Sequence, residues 1–227
     1  MIIYVNVAIF SMTDELTLPV FPLPNVTLFP RTLLPLHIFE SRYQSLVADL
    51  LAKPEENRLI IITHLENQSK PRGKNSFSSI GTVGRMVHVD PLDDGRSNIV
   101  IYGQFTVDME EIVPSPKPYR MARIHNIREE YWENPLQDHS SDQAKLMSSI
   151  QRFMDRTKSR IENIESVELD DLINGLAHSL NINSDLKQDL LELQALNDRL
   201  DKLVEIIDRI GYYTDYVPDE KQYKDIN

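Results

Sequence analysis

Residues 18–43 read LPVFPLPNVTLFPRTLLPLHIFESRY. Within that stretch, FPRTLLPLHIFE (29–40) has six Leu, Ile or Phe in twelve residues, two Pro, and no charge between Arg31 and Glu40. Apolar bursts this short, punctuated by proline, predict strands rather than a helix. LTLPVFPL (16–23) is the first, closed by the turn signal Pro24-Asn25, and TLLPLHIF (32–39) is the second. Pro35 has no amide hydrogen, so the second strand must lie at a sheet edge or carry a bulge. Period-2 alternation sends Leu34, Leu36 and Ile38 to the core and Leu33, Pro35 and His37 the other way. From Glu40 the period lengthens: Tyr43, Leu46, Val47, Leu50 and Leu51 fall at helical spacing, and Pro54 marks the end.

Working outward, RLIIITH (58–64) has the pattern of a buried strand. Residues 66–79 (ENQSKPRGKNSFSS) are polar and aperiodic, which predicts an exposed loop. GTVGRMVHVD (81–90) alternates, Asp93-Asp94-Gly95 is a hairpin signal, and residues 97–113 supply the partner strand, with Gly103 marking a bulge or bend. Residues 119–130 alternate once more. After Trp132 the period becomes 3.6. Leu146, Ile150, Phe153, Met154 and Ile161 share one helical face, and Leu169, Leu172, Ile173, Leu176 and Leu180 share a second. A longer stretch from Leu186 to Ile210 breaks near Ala195, with Gly211 as its expected C-terminal cap. Strands first and helices second is the α+β pattern. The expected divisions are a tail (1–15), a β subdomain (16–131), a helical bundle (132–214) and a polar tail (215–227).

The chain has 227 residues, 24 basic against 35 acidic, a net charge of -11 and a pI near 5.0. That field disfavours nucleic-acid backbones, which demand Lys and Arg. The chain contains no Cys, which excludes disulfides, thiol catalysis and zinc–thiolate sites. The apolar opening MIIYVNVAIFS lacks a basic leader region and is too short to span a bilayer; a soluble, cytoplasmic protein is expected.

Chemistry-bearing motifs are missing. The one Gly-Lys pair, Gly73-Lys74, is not part of a P-loop, and neither G-x-S-x-G nor G-x-G-x-x-G occurs. The six histidines (His37, His64, His88, His125, His139, His178) include no i,i+4 pair and no H-E-x-x-H, so no metal is expected. The acidic run from Glu162 to Asp171 reads as a solvated linker and helix start, and Lys70, Arg72 and Lys74 as a loop too weakly charged for nucleic acid. No cofactor and no enzymatic activity are expected.

The opening stretch resembles the start of the Lon protease N-terminal, or substrate-binding, domain. The resemblance rests on Leu18-Pro19, Phe21-Pro22-Leu23, Phe29-Pro30, Pro35-Leu36, Ile38-Phe39-Glu40 and Arg42-Tyr43. It continues through Gly81-Thr82-Val83-Gly84, Asp94-Gly95-Arg96, Gly103 and PYRMARI (118–124), and covers roughly residues 16–211. One departure is that Gly103-Gln104-Phe105-Thr106-Val107 lacks the Arg that the family carries after its strand glycine. The resemblance implies a twisted, PUA-like β-barrel subdomain with a short helix, followed by a helical bundle. It further implies a stand-alone recognition module without the ATPase and protease parts. Its partners would be unfolded or damaged polypeptides, or a dedicated protein partner, with RNA binding as the alternative. The residues expected to line such a surface are Phe29, Pro30, Leu33, Pro35, His37, Phe39 and Tyr43, because an apolar patch left wet binds something.

Overall fold

A computed structural model describes residues 16–65, 77–112, 114–158, 160 and 164–213. The chain divides into two compact units between Arg128 and Glu129. The first contains strands β1 (Thr17–Leu23), β2 (Leu33–Ile38), β3 (Leu59–Leu65), β4 (Phe77–Pro91), β5 (Ser97–Glu111) and β6 (Arg120–Arg128), with helix α1 (Ser41–Leu51) between β2 and β3. Strand order is β2-β5-β4-β3-β1-β6. The sheet is mixed, since β1 runs parallel to β3 while its other pairings are antiparallel. β5 is long enough to serve two neighbours on one side. Ser97–Tyr102 pairs with β2 and Thr106–Glu111 pairs with β6, so β5, β4, β3, β1 and β6 form a closed hydrogen-bonded circuit with β2 outside it.

The prolines obey the ladder. In β1, Thr17–Val20 pairs with β6 and Val20–Leu23 with β3. Pro19 and Pro22 therefore each need a ladder on one side only. In β2, the Gly103 amide donates to the Thr32 carbonyl. That makes 32–103 a hydrogen-bonded pair, and alternation leaves Leu33–Tyr102, Pro35–Val100 and His37–Asn98 as the pairs in between. The missing N–H of Pro35 thus belongs to the open edge, where its absence costs the ladder nothing.

Two apolar clusters occupy the two faces of the sheet. One combines α1 (Tyr43, Leu46, Val47, Leu50) with Leu34, Ile38, Ile60, Ile62, Ile99 and Ile101; the other holds Val20, Ile61, Phe77, Val83, Val107 and Met109. Each such side chain stabilises by about 1.5–3 kcal/mol when fully buried. The expected loop over 66–79 ends sooner than its polarity suggests, because Phe77 is buried and Phe77–Ser79 already belong to β4. The rest of that segment, and the expected tails, lie outside the described residues.

The second unit contains α2 (Ser140–Thr157), α3 (Leu169–Ser179), α4 (Ser184–Glu192) and α5 (Leu196–Tyr213). The long leucine-rich stretch divides between Glu192 and Leu196, around a side chain rather than a proline. Arg199 is 1% exposed, and its guanidinium donates to the carbonyls of Leu190, Leu191 and Leu193 at the end of α4. It also pairs with Glu130 and Asn174. Two orphan carbonyls of the α4 terminus, those of Leu190 and Leu191, are thereby given a donor, as is that of the cap residue Leu193. Gly211 is not a cap, since α5 continues to Tyr213. No helix among the described residues is long and apolar enough to cross a membrane.

Candidate functional site

β2 has one neighbour among the described residues, β5. Its buried side chains join the α1 cluster, and its alternate residues lie on the opposite, solvent face. Register extends that face across three strands in three rows. Leu33 stands opposite Tyr102, which stands opposite Arg85. Pro35 faces Val100, which faces His88. His37 faces Asn98, which faces Asp90. The bulge between Met86 and His88 is what brings His88 and Asp90 onto this side while Met86 stays buried.

The rows change character along the strand. The first two are mainly apolar, and Leu33 is 56% exposed. The third is polar: His37 Nδ1 lies 2.8 Å from Asn98 Oδ1, and Asp90 is exposed beside them. Phe39 extends the surface beyond β2. It is 64% exposed, and its ring lies 6.2 Å from that of His37 at an interplanar angle of 23°. Pro35, His37, His88, Asp90, Asn98 and Val100 line a shallow groove of about 390 Å³. Despite the two histidines and the carboxylate, no group of His, Asp or Glu among the described residues could hold a metal ion. The arrangement offers apolar contact with hydrogen-bonding groups at one end.

Of the residues expected at the surface, Leu33, Pro35, His37 and Phe39 are brought together here. Phe29, Pro30 and Tyr43 are not. Phe29 is fully buried, and Pro30 is buried beside it. The reason is backbone packing: Thr82 Oγ1 donates to Leu28 O at 2.6 Å, Thr32 Oγ1 donates to Phe29 O at 2.8 Å, and the Arg31 amide donates to Gly103 O at 2.8 Å. Arg31 takes a positive φ of 61° to make that turn. Tyr43 is 4% exposed and stacks on Phe21 at 3.9 Å. Burial pushes its phenol pKa up, against the lowering pull of Arg42. Sequence reading missed Asn98, Val100 and Tyr102, although the alternation in SNIVIY was visible; it also missed Arg85, His88 and Asp90, which only the register and its bulges bring alongside.

The sequence matches the family described as the ATP-dependent protease La (LON) substrate-binding domain over residues 17–209. A Lon protease of Flavobacterium johnsoniae is 27% identical over 193 residues, covering 81% of this chain and 23% of that one. A Lon protease of Escherichia coli K12 is 21% identical over 204 residues, covering 86% and 25%. The chain thus spans about a quarter of the length of the curated relatives it matches. Among solved structures, the N-terminal domain of a Mycobacterium avium complex Lon protease superposes with a TM-score of 0.62 at 14% identity, covering 84% of this chain and 97% of that one. A Lon N-terminal domain protein from Xanthomonas campestris gives 0.57 at 18% identity, covering 84% and 98%.

Proposed function

This chain belongs to the Lon substrate-binding-domain family, and from that premise we propose that it is a non-catalytic recognition module that holds unfolded or damaged polypeptide on the solvent face of β2, β5 and β4. The observation that carries the reading is the exposure of Leu33 on an edge strand and of Phe39 just beyond its end, with Pro35 between them and Val100 and Tyr102 alongside. Large apolar side chains left wet in one patch are matched by a partner that covers them. In this reading the closed circuit of strands is a PUA-like barrel that acts as a rigid platform, and α2–α5 form a helical bundle. The module works in the cytoplasm, on many clients or on one dedicated protein.

The test uses a reduced, carboxymethylated, permanently unfolded protein carrying a fluorescent label. Covering a Leu or Phe side chain contributes about 1.5–3 kcal/mol when burial is complete. Leu33 and Phe39 have 56% and 64% left to bury. Replacing both (Leu33→Ser with Phe39→Ser) should weaken binding at least about tenfold, since about 1.4 kcal/mol is a factor of ten. Stability should change by less than about 0.5 kcal/mol per site, as for other exposed positions. Unchanged affinity in a folded double variant would overturn the proposal. Binding that RNase abolishes would move RNA to first place.

A further inference from the structure

We infer that the segment this face takes is extended, has apolar side chains at alternate positions, and carries an acidic group at one end and a basic group at the other. The inference rests on the polypeptide-binding reading and specifies its ligand. Its ground is the distribution of charge around the apolar rows. Within the polar row, Asp90 and, at the hairpin that follows, Asp93 have exposed side chains with no hydrogen-bond or ion-pair partner among the described residues. Their neighbour Asp94 is already held by Arg96, at 2.6 Å. At the opposite end, Arg85 is half-buried, and its Nε is buried with no hydrogen-bond partner. No carboxylate among the described residues pairs with its guanidinium, and Arg presents a fork that fits one. The face is therefore positive beside Leu33 and Tyr102 and negative beside His37 and Asn98.

Spacing sets the length. From Leu33 to His37 is four residues, about 13–14 Å at the rise of a strand. An extended partner placing every second side chain downward sets two apolar residues over the first two rows. Its next downward position meets the row of Asp90, with Asp93 at the hairpin beyond, and the one before the apolar pair lies past the row of Leu33 and Tyr102, where the long Arg85 side chain at the end of that row can reach it. About seven residues span the whole face. The open edge of β2 does not select this ligand by itself: with Pro35 lacking an amide there, backbone pairing is interrupted and side-chain contacts decide.

The test uses the full chain and a capped, labelled heptapeptide, Glu-Ser-Leu-Ser-Leu-Ser-Lys, with affinities measured by NMR titration at low salt. Replacing the terminal lysine by glutamine should weaken binding about two- to fivefold, the range for solvent-exposed ion pairs. The Asp90→Asn/Asp93→Asn variant should lose that preference and bind both peptides alike. Arg85→Gln should likewise erase the preference for the terminal glutamate over glutamine. Equal binding of all peptides to the wild type, or a preference that survives these substitutions, would overturn the inference. So would failure of the heptapeptide to bind while the unfolded protein still binds through Leu33 and Phe39; that result leaves the parent reading intact. Loss of both kinds of binding overturns the two together.

Discussion

The burial of Phe29 is a matter of backbone clearance, and Gly103→Ala measures it. A methyl group on Gly103 would lie 2.2 Å from the Phe29 carbonyl oxygen, 3.1 Å from its carbonyl carbon and 3.2 Å from Leu28 Cγ. The first two are main-chain atoms and cannot swing aside. The same junction is closed by Arg31 N–H to Gly103 O at 2.8 Å and Gly103 N–H to Thr32 O at 2.9 Å. Losing both bonds costs about 1–3 kcal/mol, and overpacking adds about 1–3 kcal/mol. The expected loss is about 2–6 kcal/mol, against a total of about 5–15 kcal/mol for a domain. Gly95→Ala is the control. Gly95 has a positive φ of 82° but nothing within 4 Å, so only strain of about 1–2 kcal/mol applies. Urea denaturation gives the two losses, the midpoint falling at constant slope. Hydrogen exchange at Thr32–Leu34 should locate the damage to the start of β2. A loss for Gly103→Ala no larger than that for Gly95→Ala would show that the Phe29 turn has slack, and would refute the clearance argument.

Two further outcomes follow from the helical unit. Arg199→Met removes the ion-pair partner of the Glu130 carboxylate, which is 9% exposed and keeps only neutral donors such as the Asn174 amide; about 3–5 kcal/mol of stability should be lost, with partial recovery in the Arg199→Met/Glu130→Gln double variant. A loss below about 1 kcal/mol would show that the cluster does not hold the α4–α5 break. Burial raises the Asp208 pKa, but the Ser149 hydroxyl, the Arg152 guanidinium and the charge of Arg156 outweigh it and hold the carboxyl below the usual range. Because the folded value is depressed, the stabilisation is present above the unfolded pKa of about 3.9 and fades as pH falls through the folded value. Asp208→Asn should flatten the acid limb of a stability–pH profile, and an unchanged limb would contradict the assignment.

What was legible in the sequence is what depends on nearest neighbours. Alternation alone placed Leu33, Pro35 and His37 on one face and Leu34 and Ile38 in the core, and helical spacing found the buried side of α1 through Leu50, although Leu51, at the last turn, is exposed. The family resemblance, carried by the same prolines and aromatics, fits the match over residues 17–209. What was illegible depends on partners distant in the chain. Phe29 looked like surface because nothing near it announces that Gly103 will let a carbonyl in. Most of the candidate face comes from β4 and β5, whose register passes two bulges, at Val83/Gly84 and Met86/His88. Each inserted residue exchanges inside for outside, so local alternation cannot carry through them. The end of α5 was misjudged for a related reason: a glycine permits a stop without requiring one.

Pro35 connects the legible part of the chain to the proposed function. An edge strand with all its outward amides would offer a backbone template to any extended chain, including another copy of itself. Here the outward positions are 33, 35 and 37, and the middle one has no hydrogen to give. Two outward amides remain, separated by a gap, while the three side chains on the same positions stand on the solvent face with Val100 and Tyr102. Discrimination therefore shifts from the backbone, which all polypeptides share, to side chains and charge, in which they differ. That shift suits the proposed role, in which unfolded segments are held without aggregation through the protein's own edge, and it makes side-chain substitutions at Leu33, Phe39, Arg85 and Asp90 the decisive ones.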